Sequence, residues 1–259
     1  MSSFKLKNFL DNKVVEYSVP AFVESDPVSI PHQFSRLQDI EISGFFAALF
    51  AWGRRSTVLK KSRFLLELMD DAPYDFIMQH EESDLKRFLG FVHRTFNATD
   101  ILYLISFLKR FYAQNNSLEL AFSEGIKTSD SSIENGLNHF YATVFEDENH
   151  PVRTHKHIST PLKKSACKRI NMYLRWMVRP DKDGIDFGLW KRIRTDQLII
   201  PMDVHVSRVA ARLKLLPEHS KVNWESAVKL TRSLKDFDAL DPVKYDYALF
   251  GLGAIEKFS

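Results

Sequence analysis

The sequence predicts an all-α fold, on two observations. Apolar residues recur at helical spacing in segment after segment, and most of these segments open on a Ser, Thr, Asp or Asn suited to cap a helix. Across all 259 residues there is no β-alternation of any length, no internal repeat and no low-complexity tract. Hydrophobic residues make up 44% of the chain and charged residues 27%, the balance of an ordinary globular protein. The length suits one large domain or two modest lobes. The 21 phenylalanines point to a large aromatic core and do not by themselves argue for base stacking.

Taken in order, residues 1 to about 35 are punctuated by Pro20, Pro27 and Pro31 and read as a first helix followed by an irregular arm. From Asp39, a plausible cap, Ile40, Phe45, Phe46, Leu49 and Phe50 form a buried stripe that should stop near Trp52-Gly53. A polar, basic junction, Arg54-Arg55-Ser56-Thr57, leads into a second helix capped by Ser56 and carrying Val58, Leu59, Phe64, Leu65 and Leu68. Further helices are expected over 83–91, 99–113 and 131–146. The second of these, capped by Thr99 or Asp100, is apolar nearly all round and should be central.

Residues 147–160 read as a solvated loop. Its His150, His155 and His157 match no zinc-ligand spacing, no cysteine cluster accompanies them, and no metal site is expected. Thr160 as cap with Pro161 in the first turn then predicts a helix reaching Arg179. On it Lys164, Lys168, Asn171 and Arg175 would share one face. An Asp181–Gly184 turn and a short apolar plug, Phe187-Gly188-Leu189-Trp190, follow. Two capped helices, starting at Asn223 and at Asp241-Pro242, close the chain towards Gly251 and Gly253.

The most informative stretch runs from Ile199 to Leu213. Ile200 and Pro201 end what precedes them. Asp203 stands at a helix N-cap, and Val206, Val209, Ala210 and Leu213 give the helix one apolar face, with His205, Ser207, Arg208 and Arg212 opposite. A carboxylate at a cap accepts hydrogen bonds from free amides and lies in the positive end of the helix dipole, so it is fixed in direction and ionised. A plain structural cap has the same requirements.

The net charge of +3 is only mildly basic, so an argument for nucleic acid must rest on clustering. The single cysteine, Cys167, excludes an internal disulfide and is compatible with the cytosol. No segment has signal-peptide character or approaches the ~18 apolar residues of a membrane span. A cytoplasmic protein without a membrane partner is expected.

The string Pro201-Met202-Asp203-Val204-His205-Val206-Ser207-Arg208-Val209-Ala210-Ala211-Arg212-Leu213 resembles the segment that follows the hairpin in helix-hairpin-helix DNA glycosylases, which usually reads Val-Asp-Thr-His-Val-x-Arg-Val. Region 160–253, with Asp39-Ile40-Glu41-Ile42 and Ala51-Trp52-Gly53-Arg54, also looks like an uncharacterised bacterial family related to that superfamily. Its style is closest to archaeal 8-oxoguanine glycosylases with an atypical hairpin.

The resemblance implies a two-lobed helical bundle, with lobe one near 36–146 and lobe two near 160–259. The N-terminal arm would pack on lobe two, and Asp203 and a lysine would face a cleft. It implies a base-excision glycosylase, with or without strand-nicking lyase activity, acting on an oxidised purine such as 8-oxoguanine. The protein would work as a monomer near the nucleoid, on double-stranded DNA with a damaged base, without a cofactor.

Asp203 would be the catalytic carboxylate. The nucleophilic amine would be Lys168 or Lys164, since a lysine attacks when burial or neighbouring cations favour its neutral form. Trp52, Arg54 and Arg55 would form the wedge region, although Trp52 is equally readable as core. Lys163, Arg169, Arg175, His205, Arg208 and Arg212 would join them against phosphates.

The departures are specific. Pro161-Leu162-Lys163-Lys164-Ser165 lacks the glycines of the usual Leu-Pro-Gly-Val-Gly hairpin, so the register of the lysine stays open between Lys164 and Lys168. Residues 180–200 look like an insertion, and the missing cysteine cluster excludes an iron–sulfur site. A non-catalytic nucleic-acid-binding module of the same fold is the alternative.

Overall fold

The computed structural model describes residues 3–258. In chain order the helices are α1 (Ser3–Tyr17), α2 (Pro20–Val23), α3 (Leu37–Phe50), α4 (Arg55–Glu67), α5 (Pro73–Gln79), α6 (Ala98–Tyr112), α7 (Leu120–Ser123), α8 (Glu134–Val144), α9 (Lys168–Val178), α10 (Val204–Arg212), α11 (Trp224–Lys235) and α12 (Tyr245–Ala254). Strands β1 (Val92–His93) and β2 (Phe96–Asn97) form a short antiparallel hairpin just before α6. The fold is all-α. Among the described residues no helix is long and apolar enough to cross a membrane.

The chain divides into two compact units. A central unit comprises Ser25–Ile126 and Gly136–Ser159. A C-terminal unit takes the residues up to Glu24, Lys127–Asn135, and the chain from Thr160 onward.

In the central unit, α3 is buried on nearly every side from Ile40 to Phe50. Asp39, expected to cap α3, lies inside its first turn, and its carboxylate accepts the Tyr74 amide (2.8 Å) at the start of α5. Ser56 likewise falls inside α4, which begins after Arg54. The expected helix over 83–91 is a 3₁₀ turn at Asp84–Phe88. Helix α6, expected to be apolar nearly all round, buries one broad face from Asp100 to Tyr112 and leaves Thr99, Ser106 and Arg110 exposed. Its cap is Asn97, one turn before Asp100, and the two residues form a reciprocal capping box.

Residues 150–157 are not a plain solvated loop. Val152–Lys156 form a 3₁₀ turn, and Thr154 and His157 are fully buried beneath it. The buried Asp100 carboxylate accepts from Thr154 (2.8 Å) and pairs with Arg153 (2.8 Å) and His157 (3.3 Å). Burial raises its pKa, but hydrogen bonds from His157, Thr154 and the Asn97 amide outweigh that and hold it below the usual carboxylate range.

In the C-terminal unit, α12 packs between α1 and α10. Both contacts run through glycine. A Cβ on Gly251 would stand 2.2 Å from the Tyr17 ring, and one on Gly253 would stand 3.1 Å from the Cβ of His205. The Lys127–Asn135 segment is tied into this unit by Gln197, whose carbonyl accepts the Ile133 amide (2.8 Å) and whose side chain donates to the Asp130 carbonyl (2.9 Å). Ile170, Tyr173, Trp176 and Met177 of α9 are fully buried. Each such side chain contributes roughly 1.5–3 kcal/mol through removal of apolar surface from water. The apolar plug closes the end of α9, for Phe187 and Trp190 donate their amides to the carbonyls of Trp176 (2.7 Å) and Met177 (2.9 Å), which the helix leaves unpaired.

Candidate functional site

The expected helix from Pro161 to Arg179 is broken. Thr160 caps a single 3₁₀ turn, Pro161–Lys163, by accepting the Leu162 amide. Lys164 and Cys167 then adopt left-handed conformations (φ 57° and 52°), and α9 begins only at Lys168. Each left-handed non-glycine residue costs on the order of 1–2 kcal/mol, so this turn is held against local strain. Its supports are the Trp224 amide, which donates to the Lys164 carbonyl (3.2 Å), and the Ser165 hydroxyl, which accepts the Cys167 amide (3.2 Å). The amides of Ser165, Ala166, Lys168 and Ile170 have no acceptor among the described residues. Leu162, Lys163 and Lys164 are exposed at the tip.

The break corrects the expected basic face of Lys164, Lys168, Asn171 and Arg175. Lys164 lies outside α9, and Asn171 is buried, with its side-chain NH₂ donating to the Ala166 carbonyl (3.1 Å). Arg175 is also buried and cannot meet phosphates. It pairs with Asp246 and with Asp186 (3.3 Å) and lies 4.2 Å over the Tyr247 ring. Arg179, one turn on, bridges Asp186 (3.0 Å) and Asp241 (2.9 Å). Burial alone would lower the Arg179 pKa, but the carboxylates of Asp186 and Asp241 more than offset it and the net shift is upward. The two arginines sit at the carbonyl end of α9, where the helix dipole favours cations.

Asp203 is the N-cap of α10. Its backbone is extended and its carboxylate accepts the Val206 amide (3.0 Å). The strand-like lead-in is rigid: Ile200 and Met202 are fully buried, and the Ile200 amide donates to the Thr231 hydroxyl (3.0 Å) on α11. Val206, Val209 and Ala210 form the apolar face that the spacing predicts. Ser207 is not on the outer face with His205, Arg208 and Arg212. It is buried, with its hydroxyl 3.4 Å from the Ser220 carbonyl. Arg208 and His205 are exposed, and exposed Arg212 lies 4.6 Å over the Phe258 ring.

Lys168 is the first residue of α9 and is half-buried. Its amine lies 3.8 Å from the Met172 sulfur and 6.0 Å from the centre of the Phe250 ring. Neither Lys168 nor Asp203 forms an ion pair among the described residues. Both act electrostatically on a third group that the sequence reading missed, the buried carboxyl of Asp246. Asp246 is four residues before Phe250 on α12, so the two share a helix face towards Lys168. Burial raises the Asp246 pKa most, Arg175 and then Lys168 lower it, and Asp203 and Asp186 add repulsion, leaving it at about 6. Lys168 and Asp203 thus each lie within electrostatic reach of Asp246, and the Lys168 amine also faces the Phe250 ring. The signal that could have found Asp246 is an acid set between Tyr245 and Tyr247 in an otherwise apolar helix, a pattern that demands a buried partner.

Arg169, the remaining predicted contact on α9, is half-buried, and burial lowers the pKa of its guanidinium. In the central unit Trp52 is half-buried, Arg54 exposed and Arg55 half-buried. Here the sequence reading missed Arg94. This residue turns the β1–β2 hairpin in a left-handed conformation and lays its guanidinium 4.6 Å over the Trp52 ring. Of the histidines of 150–157, His150 and His155 meet edge to face (4.6 Å) against Phe145, and His157 lies apart on Phe96. His157 stacks on Phe96, His155 bonds the Tyr141 hydroxyl, and His150 bonds the Asp147 carbonyl (2.7 Å). Among the described residues no three His, Cys, Asp or Glu side chains converge as metal ligands.

Residues 26–255 match the model of the family described as "Protein of unknown function (DUF2400)", and the chain belongs to that family. No curated protein and no solved structure matches the chain.

Proposed function

We propose that this member of an uncharacterised family is a bifunctional DNA glycosylase that excises an oxidised purine such as 8-oxoguanine from double-stranded DNA. The observation that carries the proposal is that Lys168 and Asp203 both lie within electrostatic reach of the buried Asp246 carboxyl. An amine sits at the start of one helix, a carboxylate is fixed by capping another, and neither is used up in an ion pair. In this reading the Lys168 amine bonds to C1′ of the damaged nucleoside as the C1′–N9 bond breaks and the base leaves. Asp203 stabilises the positive charge that develops on the sugar and relays the proton released from the amine nitrogen. Opening of the sugar gives an imine, from which the 3′ phosphate can be eliminated.

The hairpin supports the same reading. The amides of Ser165, Ala166, Lys168 and Ile170, at or just before the start of α9, could donate to a DNA phosphate in the positive end of the helix dipole. In this reading the left-handed Lys164 and Cys167 would do the work of the missing hairpin glycines. Exposed Lys163, Arg208 and Arg212 would add phosphate contacts. The target base would have to leave the stack to reach the amine.

Borohydride trapping on a duplex carrying 8-oxoguanine opposite cytosine tests this. Wild type should yield a covalent adduct, Lys168→Gln none, and Asp203→Asn at least a hundredfold less. An adduct that survives Lys168→Gln and disappears in Lys164→Gln would move the nucleophile to the hairpin tip. Salt-sensitive DNA binding with neither adduct nor base release would favour the non-catalytic module.

A further inference from the structure

The solvent face of α4 and the tip of the β1–β2 hairpin form a second cationic surface that the glycosylase reading does not require. Between Arg54 and Leu66 the chain carries Arg54, Arg55, Lys60, Lys61 and Arg63 and no acidic residue. The buried face of α4 is made by Val58, Ser62, Leu65 and Leu66, which leaves Lys60, Arg63 and Phe64 together on its outer face. Arg54, Lys60, Lys61, Arg63 and Arg94 form no ion pair among the described residues. The nearest acid along α4, Glu67, comes one turn later at the carbonyl end.

Aromatic rings lie between these cations. Phe64 stacks on Phe91 with ring centres 6.1 Å apart, and the Lys61 ammonium sits 5.4 Å and 5.7 Å from the two ring centres. Three residues after Phe91, Arg94 covers Trp52, just before the junction from which α4 starts. Gly53 keeps that end closed. It adopts φ 99°, and a Cβ there would stand 2.8 Å from the Arg94 guanidinium. Phe64, Leu89 and Val92 add exposed apolar area beside the cations.

Unpaired cations this dense repel one another, and a polyanion removes the repulsion with release of its counterions. Interleaved rings hold the long side chains in place, which reduces the entropy lost on binding. We propose that this face of the central unit binds the phosphate backbone of duplex DNA. It would act as a sequence-independent anchor, independently of any chemistry at Lys168.

The test is a salt titration of binding to undamaged duplex DNA by the full chain. Lys60→Gln/Lys61→Gln/Arg63→Gln should lower the slope of log K against log[salt] by about 2–3 and weaken binding on the order of a hundredfold near 0.1 M salt. Lys182→Gln/Lys214→Gln/Lys229→Gln, which removes the same charge from exposed positions of the C-terminal unit, should change the slope by less than about 1. Arg94→Ala should lower it by about 1. Equal losses in both triple variants, no loss in the α4 variant, or tighter binding of duplex RNA than of DNA would overturn the proposal. Because undamaged DNA is used, loss of the glycosylase reading leaves this result standing, and a flat α4 variant sinks the anchor even if base excision is observed.

Discussion

At the scale of single residues, Asp203 does two jobs that a substitution can separate. Its carboxylate caps α10 through the Val206 amide and, in the proposed reaction, supplies the negative charge that steadies the sugar cation. Asparagine caps as well as aspartate. Asp203→Asn should therefore keep stability within about 0.5 kcal/mol while losing base excision, whereas Asp203→Ala should lose both, with about 1 kcal/mol of stability. Chemical denaturation beside an excision assay checks this, and full activity in Asp203→Asn would reduce Asp203 to a cap.

Asp246 gives a pH signature at the same scale. Its pKa rises from 3.8 to about 6 on folding, so between those values the folded state holds a proton that the unfolded state has released. Stability from this group is fully present below pH ~4 and is lost as pH rises through about 6. The amount is on the order of 2–3 kcal/mol. Whatever the absolute stability of Asp246→Asn, its stability relative to wild type should improve as pH rises from 4 to 7. Thermal melts across that range check it, and a gap that stays constant or closes the other way would contradict the burial assigned to Asp246.

At the scale of elements, helices with side-chain caps and one-sided apolar spacing were legible in the sequence. Asp203 before α10 and Asn223 before α11 stand where the pattern puts them. The boundary of α9 was not legible, because Thr160-Pro161 is a strong start signal that the structure uses for only one turn. What ends the turn is the left-handed backbone at Lys164 and Cys167, and neither residue type announces that conformation. Asp246 and Asp186 were hidden for a related reason, since burial of an acid depends on arginines that tertiary packing brings to it. Lys164→Gly should stabilise the protein by up to about 1 kcal/mol, because the strain removed exceeds the entropy added to the unfolded chain. A shift of the urea midpoint to lower concentration would show that the hairpin is not strained there. Gly251→Ala should cost at least 1–3 kcal/mol, since α1 and α12 cannot approach with a methyl against Tyr17. The same titration reads it, and an unchanged midpoint would contradict the α1–α12 contact.

At the scale of the whole molecule, net charge says little, because +3 is the small difference between many cations and nearly as many acids. What matters is where the charges are placed. The C-terminal unit buries Arg175 and Arg179 against Asp186, Asp241 and Asp246, so those cations are unavailable to a ligand. Among the cations left exposed are Lys163 and Lys164 in the 161–164 turn, Arg208 and Arg212 on the outer face of α10, and Lys60 and Arg63 along α4. The central claim is that the chain places one reactive amine, Lys168, beside one oriented carboxylate, Asp203. The most direct measurement is mass-spectrometric mapping of the borohydride-reduced adduct formed by wild-type protein on an 8-oxoguanine duplex. The account predicts a single modified peptide with the sugar remnant on Lys168. A remnant on Lys164 or any other lysine, or no remnant on a protein that still releases the base, would contradict it.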